Sequence, residues 1–200
     1  MKRIIWSLVS LALSLALNAS PLAAQAAPAA PTAPASGLRA EFLFNMSGVE
    51  RELVSLAEKM PAEKYSWRPG EGVRSVSEVY MHVAGGQFNY ASVLGVPIPT
   101  GFDQNFEKVY TDKAKVVEWL KLSFANVKQA AMNLSDADLD QTVKLFGREG
   151  TKRSVLLRII SHGHEHLGQS IAYARMNGIV PPWTEEAQQR QQAAPPKKQP

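Results

Sequence analysis

The sequence predicts an all-α domain built as a four-helix bundle. Four segments place apolar residues at alternating steps of three and four, which is the spacing of one face of a helix. Helix-start and helix-stop signals bound these segments. The chain has 200 residues, of which 45% are hydrophobic, and this composition is typical of a globular protein. Four amphipathic helices that each bury one apolar stripe are expected to pack together as a bundle.

The two ends of the chain are predicted to lie outside this domain. A basic start, an apolar run of about sixteen residues and an Ala-x-Ala site are typical of a cleaved secretory signal peptide. The apolar run is shorter than the roughly 20 residues that span a membrane, so we expect no stable membrane insertion after cleavage. The protein is therefore predicted to be periplasmic or secreted. The predicted divisions are a signal peptide (residues 1–26), an Ala/Pro-rich linker (27–37), the folded domain (38–183) and a disordered polar tail (184–200).

The first two predicted helices have clear boundaries. The first covers residues 38–60 and ends before Pro61. The second starts at Ser75, because Ser75 and Glu78 have the spacing of a capping box. Two adjacent glycines at 85 and 86 lie inside it, where glycine costs stability, so we expect another backbone to pack closely there. The apolar face of the first helix contains Phe42, Met46, Val49, Leu53, Leu56 and Met60.

The second half of the domain contains the other two helices. The third is predicted over residues 111–133, followed by a short helical start at 135–138 and a strand or hairpin at 142–146. The fourth is predicted over residues 151–177, with Gly178 as its C-terminal cap. Long connections leave room for a crossover topology.

The histidines are the most informative residues. The chain has no cysteine, so a transition metal would need His, Asp or Glu ligands. His162 and His166 are four residues apart, which places both on the apolar face of the fourth helix, one turn from each other. His82 lies at the inner edge of the second helix. Three imidazoles with a fourth position open to water or substrate form the arrangement of catalytic zinc sites. Zinc is the first expectation, and nickel and iron also fit imidazole ligands. The alternative is that the three are hydrogen-bonded core histidines without a metal.

Three further residues are candidates for an outer shell around this site. Gln169 follows His166 by three positions, and it could hydrogen-bond a ligand or serve as a buried structural amide. Glu78 lies one turn before His82, and helix capping is its alternative role. His164 is expected to face away from its two neighbours. The zincin motif H-E-x-x-H is absent because position 168 is glycine, so no catalytic base is assigned.

These motifs resemble those of the DinB/YfiT-like superfamily. Residues 75–84 (SVSEVYMHVA), with Trp-Arg-Pro at 67–69 before them, resemble its second-helix signature. Residues 162–169 (HGHEHLGQ) resemble its last-helix signature H-x-x-x-H-x-G-Q, and the resemblance covers about residues 38–183. It implies a DinB-type four-helix bundle, a divalent metal on His82, His162 and His166, and often a homodimer. Some relatives are thiol-dependent transferases or isomerases. Many carry Arg where this chain has Leu167, which weakens any transfer of their substrate.

Composition and motifs exclude several other classes of function. The sequence contains no phosphate-binding loop, dinucleotide fingerprint or G-x-S-x-G elbow. The net charge is only +4, with no Lys/Arg cluster on a folded segment, so we expect no nucleic-acid partner. The sequence therefore predicts an exported, metal-dependent hydrolase or thiol-type group transferase that acts on a small molecule. The alternative is a non-catalytic periplasmic module that binds a metal or another small ligand.

Overall fold

The computed structural model of the chain describes residues 33–193. The predicted signal peptide, residues 27–32 of the predicted linker and residues 194–200 of the predicted tail lie outside the described residues. Within residues 33–193 the fold is mostly helical, and no helix there is long and apolar enough to cross a membrane. The helices are α1 (Gly37–Lys59), α2 (Val76–Val93), α3 (Phe106–Val109), α4 (Lys113–Asn133), α5 (Lys152–Met176) and α6 (Pro182–Ala193). Short 3₁₀ helices cover Ala62–Lys64 and Ala137–Asp140, and an antiparallel hairpin joins β1 (Thr142–Leu145) to β2 (Arg148–Thr151).

Capping fixes the start of the two helices that carry the histidines. At α2, the Glu78 backbone N–H donates to Ser75 Oγ over 3.3 Å, and the Ser75 N–H donates to Glu78 Oε2 over 2.7 Å. This is the predicted capping box, which satisfies two backbone donors that have no partner within the helix. Thr151 and Ser154 form the same reciprocal pair at α5. Helix α5 ends before Gly178, whose φ of +73° is a left-handed conformation that glycine adopts without strain.

The four long helices pack in a crossed order. Helices α1 and α2 each lie against both α4 and α5, so α1 packs mainly against the two long helices that come after α2 in the chain. The apolar stripe predicted for α1 is fully buried, which confirms the assigned face. The largest fully buried side chains of the other long helices are Tyr80, Met81, Phe88, Leu120, Phe124, Leu156 and Ile159.

Two expectations from the sequence were wrong. The adjacent glycines of α2 face aromatic rings and not another backbone, because a Cβ at Gly85 would lie 2.3 Å from Phe106 Cζ and one at Gly86 would lie 2.6 Å from His162 Cε1. The tail predicted to be disordered is helical over residues 184–193, as part of α6. Pro182 suits the first position of that helix, Lys59 Nζ binds Glu185 Oε2 at 2.8 Å, and Trp183 packs against the core.

The C-terminal end of α1 is capped from another helix. Lys113 Nζ at the start of α4 donates to the backbone oxygens of Glu58 (2.7 Å) and Met60 (2.8 Å). Carbonyl groups at a helix C-terminus have no partner within the helix, and a lysine ammonium satisfies them while complementing the helix dipole. This contact ties the α1 end to the α4 start.

We predict that Lys113→Met lowers the free energy of unfolding by about 1–2 kcal/mol, since two charge-assisted hydrogen bonds are lost. The matched control is Lys121→Met on the same helix. Within residues 33–193, the one ion pair of Lys121 is an exposed contact with Glu58, which contributes at most about 0.5 kcal/mol. Urea denaturation of the three proteins measures both values, and equal effects of the two substitutions would contradict the capping role.

Candidate metal centre

Three histidines from two helices meet at one point inside the fold. His82 comes from α2, and His162 and His166 come from successive turns of α5. One ring nitrogen of each lies within 4.8 Å of the corresponding nitrogen of the other two. The ring centroids are 4.6 Å apart for His162 and His166, 4.8 Å for His82 and His166, and 5.2 Å for His82 and His162. His162 and His166 are buried, whereas the His82 side chain keeps 28% of its exposure. The cluster is therefore accessible from the side of His82.

The Nδ1 atoms of two of these rings are held by acceptors. His82 Nδ1 lies 2.7 Å from Glu107 Oε1, and His166 Nδ1 lies 2.8 Å from Gln169 Oε1. Burial alone would raise the pKa of Glu107, but hydrogen bonds and charge from Arg74 and His82 lower it below its usual value. Its carboxylate is therefore ionised near neutral pH and can only accept, so Nδ1 of His82 carries the proton. The same holds for His166 against the amide oxygen, so in the neutral form of either ring it is Nε2 that carries no proton and can act as a ligand.

His162 is held differently. Its Nδ1 is buried and has no hydrogen-bond partner within residues 33–193. Burial, together with the nearby rings of His166 and His82, lowers the pKa of His162 to about 3. The pKa of His166 is also lowered by burial, against the opposing effect of its bond to Gln169. Both rings are therefore neutral near pH 7, the state in which imidazole binds a metal. The unpartnered buried nitrogen of His162 and the neutral rings of His162 and His166 fit a divalent transition metal, which the three histidine side chains could hold.

Arg74 connects the supports of His82 and His166. Its guanidinium binds Glu107 through Nε to Oε2 (2.8 Å) and Nη2 to Oε1 (3.2 Å). Its backbone oxygen accepts a hydrogen bond from the Tyr173 hydroxyl at 3.1 Å, and that hydroxyl accepts one from Gln169 Nε2, also at 3.1 Å. The side chain and the backbone of one residue thus anchor both chains of hydrogen bonds. The positions of the His82 and His166 rings are therefore coupled through Arg74.

Glu107 and Arg74 are the site residues that the sequence analysis missed. Glu107 lies on α3, a four-residue helix after a loop, and it is 25 positions away from His82. A helix that short carries no hydrophobic periodicity, so no pattern in the sequence places its carboxylate beside the histidines. Gly85 offered the one local signal, since its missing side chain makes room for the Phe106 ring next to Glu107.

The three predicted outer-shell residues lie in three different settings. Gln169 bonds to His166, as described above. Glu78 belongs to the capping box and pairs with Arg68 at 3.2 Å and with Lys108, and it makes no hydrogen bond to His82. His164 is exposed, and its Nδ1 lies 2.9 Å from the backbone oxygen of Ile160. The space beside Gly85 and Gly86 is filled by rings of the chain itself, whereas nothing lies within 4 Å of a Cβ at Gly168.

Comparisons with known proteins show the family and the fold of the chain. The family described as the DinB superfamily matches residues 46–170 of the chain. The uncharacterised protein YjoA of Bacillus subtilis is 27% identical over 124 residues, which cover 62% of this chain and 80% of YjoA.

Solved structures share the fold. A DinB-like protein from Bacillus cereus superposes with a TM-score of 0.62 at 20% identity, covering 70% of this chain and 93% of that protein. The crystal structure of YjoA gives a TM-score of 0.54 at 22% identity with the same coverage. A conserved protein from Enterococcus faecalis gives 0.55 at 14% identity, covering 70% of this chain and 97% of its own. At these identities the similarity establishes a DinB-like fold.

We predict that Gly86→Ala lowers the free energy of unfolding by about 1–3 kcal/mol, because the new Cβ would displace the His162 ring. Gly168→Ala on α5 is the matched control. It meets open space in an exposed helical position and should raise stability by about 0.5–1 kcal/mol. Urea denaturation without added metal measures both, and a stabilised Gly86→Ala protein would contradict the close packing described.

We also predict an acid-dependent loss of stability from Glu78. Burial alone would raise its pKa, but Lys108, the Ser75 backbone and Arg68 lower it from 4.5 to about 2. A lowered folded-state pKa stabilises the fold above about pH 4.5, and this contribution disappears as the pH falls toward 2. Glu78→Gln should therefore cost about 3 kcal/mol at pH 7 and about 1 kcal/mol at pH 3. Urea denaturation at the two pH values tests this, with the exposed Glu63→Gln as control; an equal cost at both would contradict it.

Proposed function

Because the chain belongs to the DinB superfamily, we propose that it is an exported metal-dependent enzyme whose metal is bound by His82, His162 and His166. The reaction is the hydrolysis of a small molecule or the transfer of a group, with a thiol as one class of acceptor. The observation that carries this proposal is the convergence of three ring nitrogens within 4.8 Å, two of them on rings whose Nδ1 protons are already engaged. Fixing the tautomer in this way is typical of histidines that bind metals.

Zinc is the metal we propose first, with nickel and iron as alternatives. Three neutral imidazoles and an open fourth position suit zinc in a catalytic arrangement. Bound there, the metal would supply Lewis-acid chemistry, polarising a substrate or lowering the pKa of a coordinated water or thiol.

The chain's own residues hold and shield the site. Glu107 and Gln169 orient two imidazoles through their Nδ1 atoms. The Tyr90 ring lies edge-on to His162, with centroids 5.6 Å apart, and both residues are buried. Because His82 is partly exposed, the histidine cluster is accessible from the His82 side, and we propose that a small molecule enters there.

A non-catalytic role is the second candidate, and one observation favours it. Among the described residues, the carboxylate that hydrogen-bonds to the histidine cluster is that of Glu107. It is already bound by Arg74 and His82. Its lowered pKa makes it a weak proton acceptor. A periplasmic module that binds a metal or a small ligand would need no such base.

The remaining features of the proposal concern assembly and location. The four long helices constitute the four-helix bundle of the superfamily. Residues 1–26 act as a cleaved signal peptide, so that the mature protein is periplasmic or secreted and not inserted in the membrane. A homodimer is the proposed assembly, and small molecules, not nucleic acids, are the proposed ligands.

The test is the metal content of the purified protein, measured by elemental mass spectrometry beside the His162→Ala/His166→Ala double variant. We predict close to one equivalent of a transition metal per chain, lost in the double variant. His164→Ala is the matched control, because His164 is exposed on the same helix and should leave the metal content unchanged. A chelator should lower the melting temperature of the wild type and of His164→Ala but not that of the double variant, since a metal that binds the native state stabilises it by mass action.

Two outcomes would overturn the proposal. One is the absence of metal even after incubation with zinc, nickel or iron; the other is full occupancy in the double variant. The enzyme and the non-catalytic module are separated by a cobalt-substituted sample. A visible spectrum that shifts with azide or a small thiol indicates an open coordination position, and an unresponsive spectrum favours the module.

A further inference from the structure

A cavity near the metal centre lies between the hairpin and the first turns of α5. Its volume is about 520 Å³. The residues that matter for its chemistry are Val143, Leu145, Phe146, Arg148, Ser154 and Arg158. The cavity thus combines an apolar wall with two guanidinium groups.

The register of the hairpin sorts its charges onto two faces. Leu145 pairs with Arg148, and Val143 pairs with Gly150, so these four residues share one face. Lys144 pairs with Glu149, which places the one acidic residue of the cavity lining on the opposite face, across from a lysine. With Arg148, Arg158 and this single carboxylate in its lining, the cavity carries a net positive charge.

Both arginines of the cavity are available to a ligand. Within residues 33–193, neither Arg148 nor Arg158 forms an ion pair, whereas Arg153, Arg39 and Arg74 each bind a carboxylate. A guanidinium presents several donors in a fixed planar arrangement that matches the oxygens of a carboxylate or a phosphate. Two such groups lining one cavity are suited to a single oxyanion.

Phe146 at the hairpin tip is kept in an unfavourable position. Its φ is +49°, a left-handed conformation that suits Asn or Gly at this turn position and strains a bulky residue. Its side chain is 72% exposed, so burial in the core does not offset the strain. Its ring contacts Tyr90 at 5.8 Å between centroids, and Tyr90 in turn contacts His162 at 5.6 Å. Two successive ring contacts, through Tyr90, therefore connect Phe146 in the cavity lining with the histidine cluster.

We propose that this cavity binds a small molecule that carries an oxyanion, a carboxylate or a phosphate, next to an apolar group. Arg148 and Arg158 hold the oxyanion, and Phe146 contacts the apolar group. This inference goes beyond the proposed function, because the cavity lies on the Tyr90 side of the histidine cluster and not on the His82 side, where access to the metal is proposed.

The test is calorimetric titration of chelator-treated protein with phenyl phosphate, phenylacetate and the uncharged 2-phenylethanol. We expect at least one anion to bind and the alcohol to bind at least about tenfold more weakly. The anion that binds more tightly shows whether the cavity prefers a phosphate or a carboxylate. Arg148→Gln and Arg158→Gln should each weaken the anion about tenfold or more. Arg175→Gln, at the far end of α5, removes the same charge and should leave the affinity within about twofold. No heat with either anion, equal binding of the alcohol, or equal weakening by Arg175→Gln would overturn the proposal.

Phe146→Asn provides a readout that a purely structural role would not give. Asn fits the positive φ, so the melting temperature should stay the same or rise. Affinity for phenyl phosphate should fall severalfold, while affinity for inorganic phosphate should not change. A lower melting temperature with unchanged affinity for phenyl phosphate would show that Phe146 serves the fold alone, and would overturn its proposed contact.

The His162→Ala/His166→Ala double variant separates the two proposals. It should still bind the anion, because neither residue lines the cavity. If the wild-type protein binds the anion but takes up no metal, the cavity proposal is supported and the metal-dependent function is refuted. Metal uptake without anion binding would refute the cavity alone.

Discussion

The requirement to bring three imidazoles to one point inside a helical core governs the rest of this structure. Burying a polar ring without a partner is costly, so each ring needs either a hydrogen bond or a ligand. Glu107 and Gln169 provide partners for two rings, and His162 has none within the described residues. Gly86 is the steric counterpart of this requirement, since any side chain there would occupy the place of the His162 ring.

The loop before α2 organises the site as much as the helices do. Its backbone is fixed by hydrogen bonds from Val76 N–H to Trp67 O (3.0 Å) and from Ser77 N–H to Tyr65 O (2.9 Å). Trp67 also packs edge-on against Tyr173, at 5.4 Å between centroids. Arg74 lies in this loop, so the anchor shared by both hydrogen-bond chains belongs to a segment held at several points. These ties offset the lower precision with which a loop otherwise positions side chains, compared with a helix.

The sequence is enough to predict the parts of this protein that depend on local rules. The bounds of the long helices follow from apolar spacing and from capping residues such as Ser75, because these signals act within one or two turns. The shared face of His162 and His166 follows from helix geometry, and the structure brings His82 to the same place. The prediction fails where tertiary contacts decide. Helix α6 depends on Trp183 and on the pair between Lys59 and Glu185, and Glu107 reaches His82 only through the fold.

The charges around the site connect the metal centre with the cavity beside it. Three neutral imidazoles do not offset the charge of a divalent cation. The carboxylate of Glu107 adds one negative charge through His82, but the guanidinium of Arg74 cancels it at 2.8 Å. A loaded centre would therefore keep a net positive charge in a partly buried setting, where electrostatic attraction is weakly screened. Arg148 and Arg158 add to the same positive field from the far side of Tyr90. A cationic centre next to a cationic cavity favours a ligand with an anionic group, and it disfavours a cationic one by like-charge repulsion.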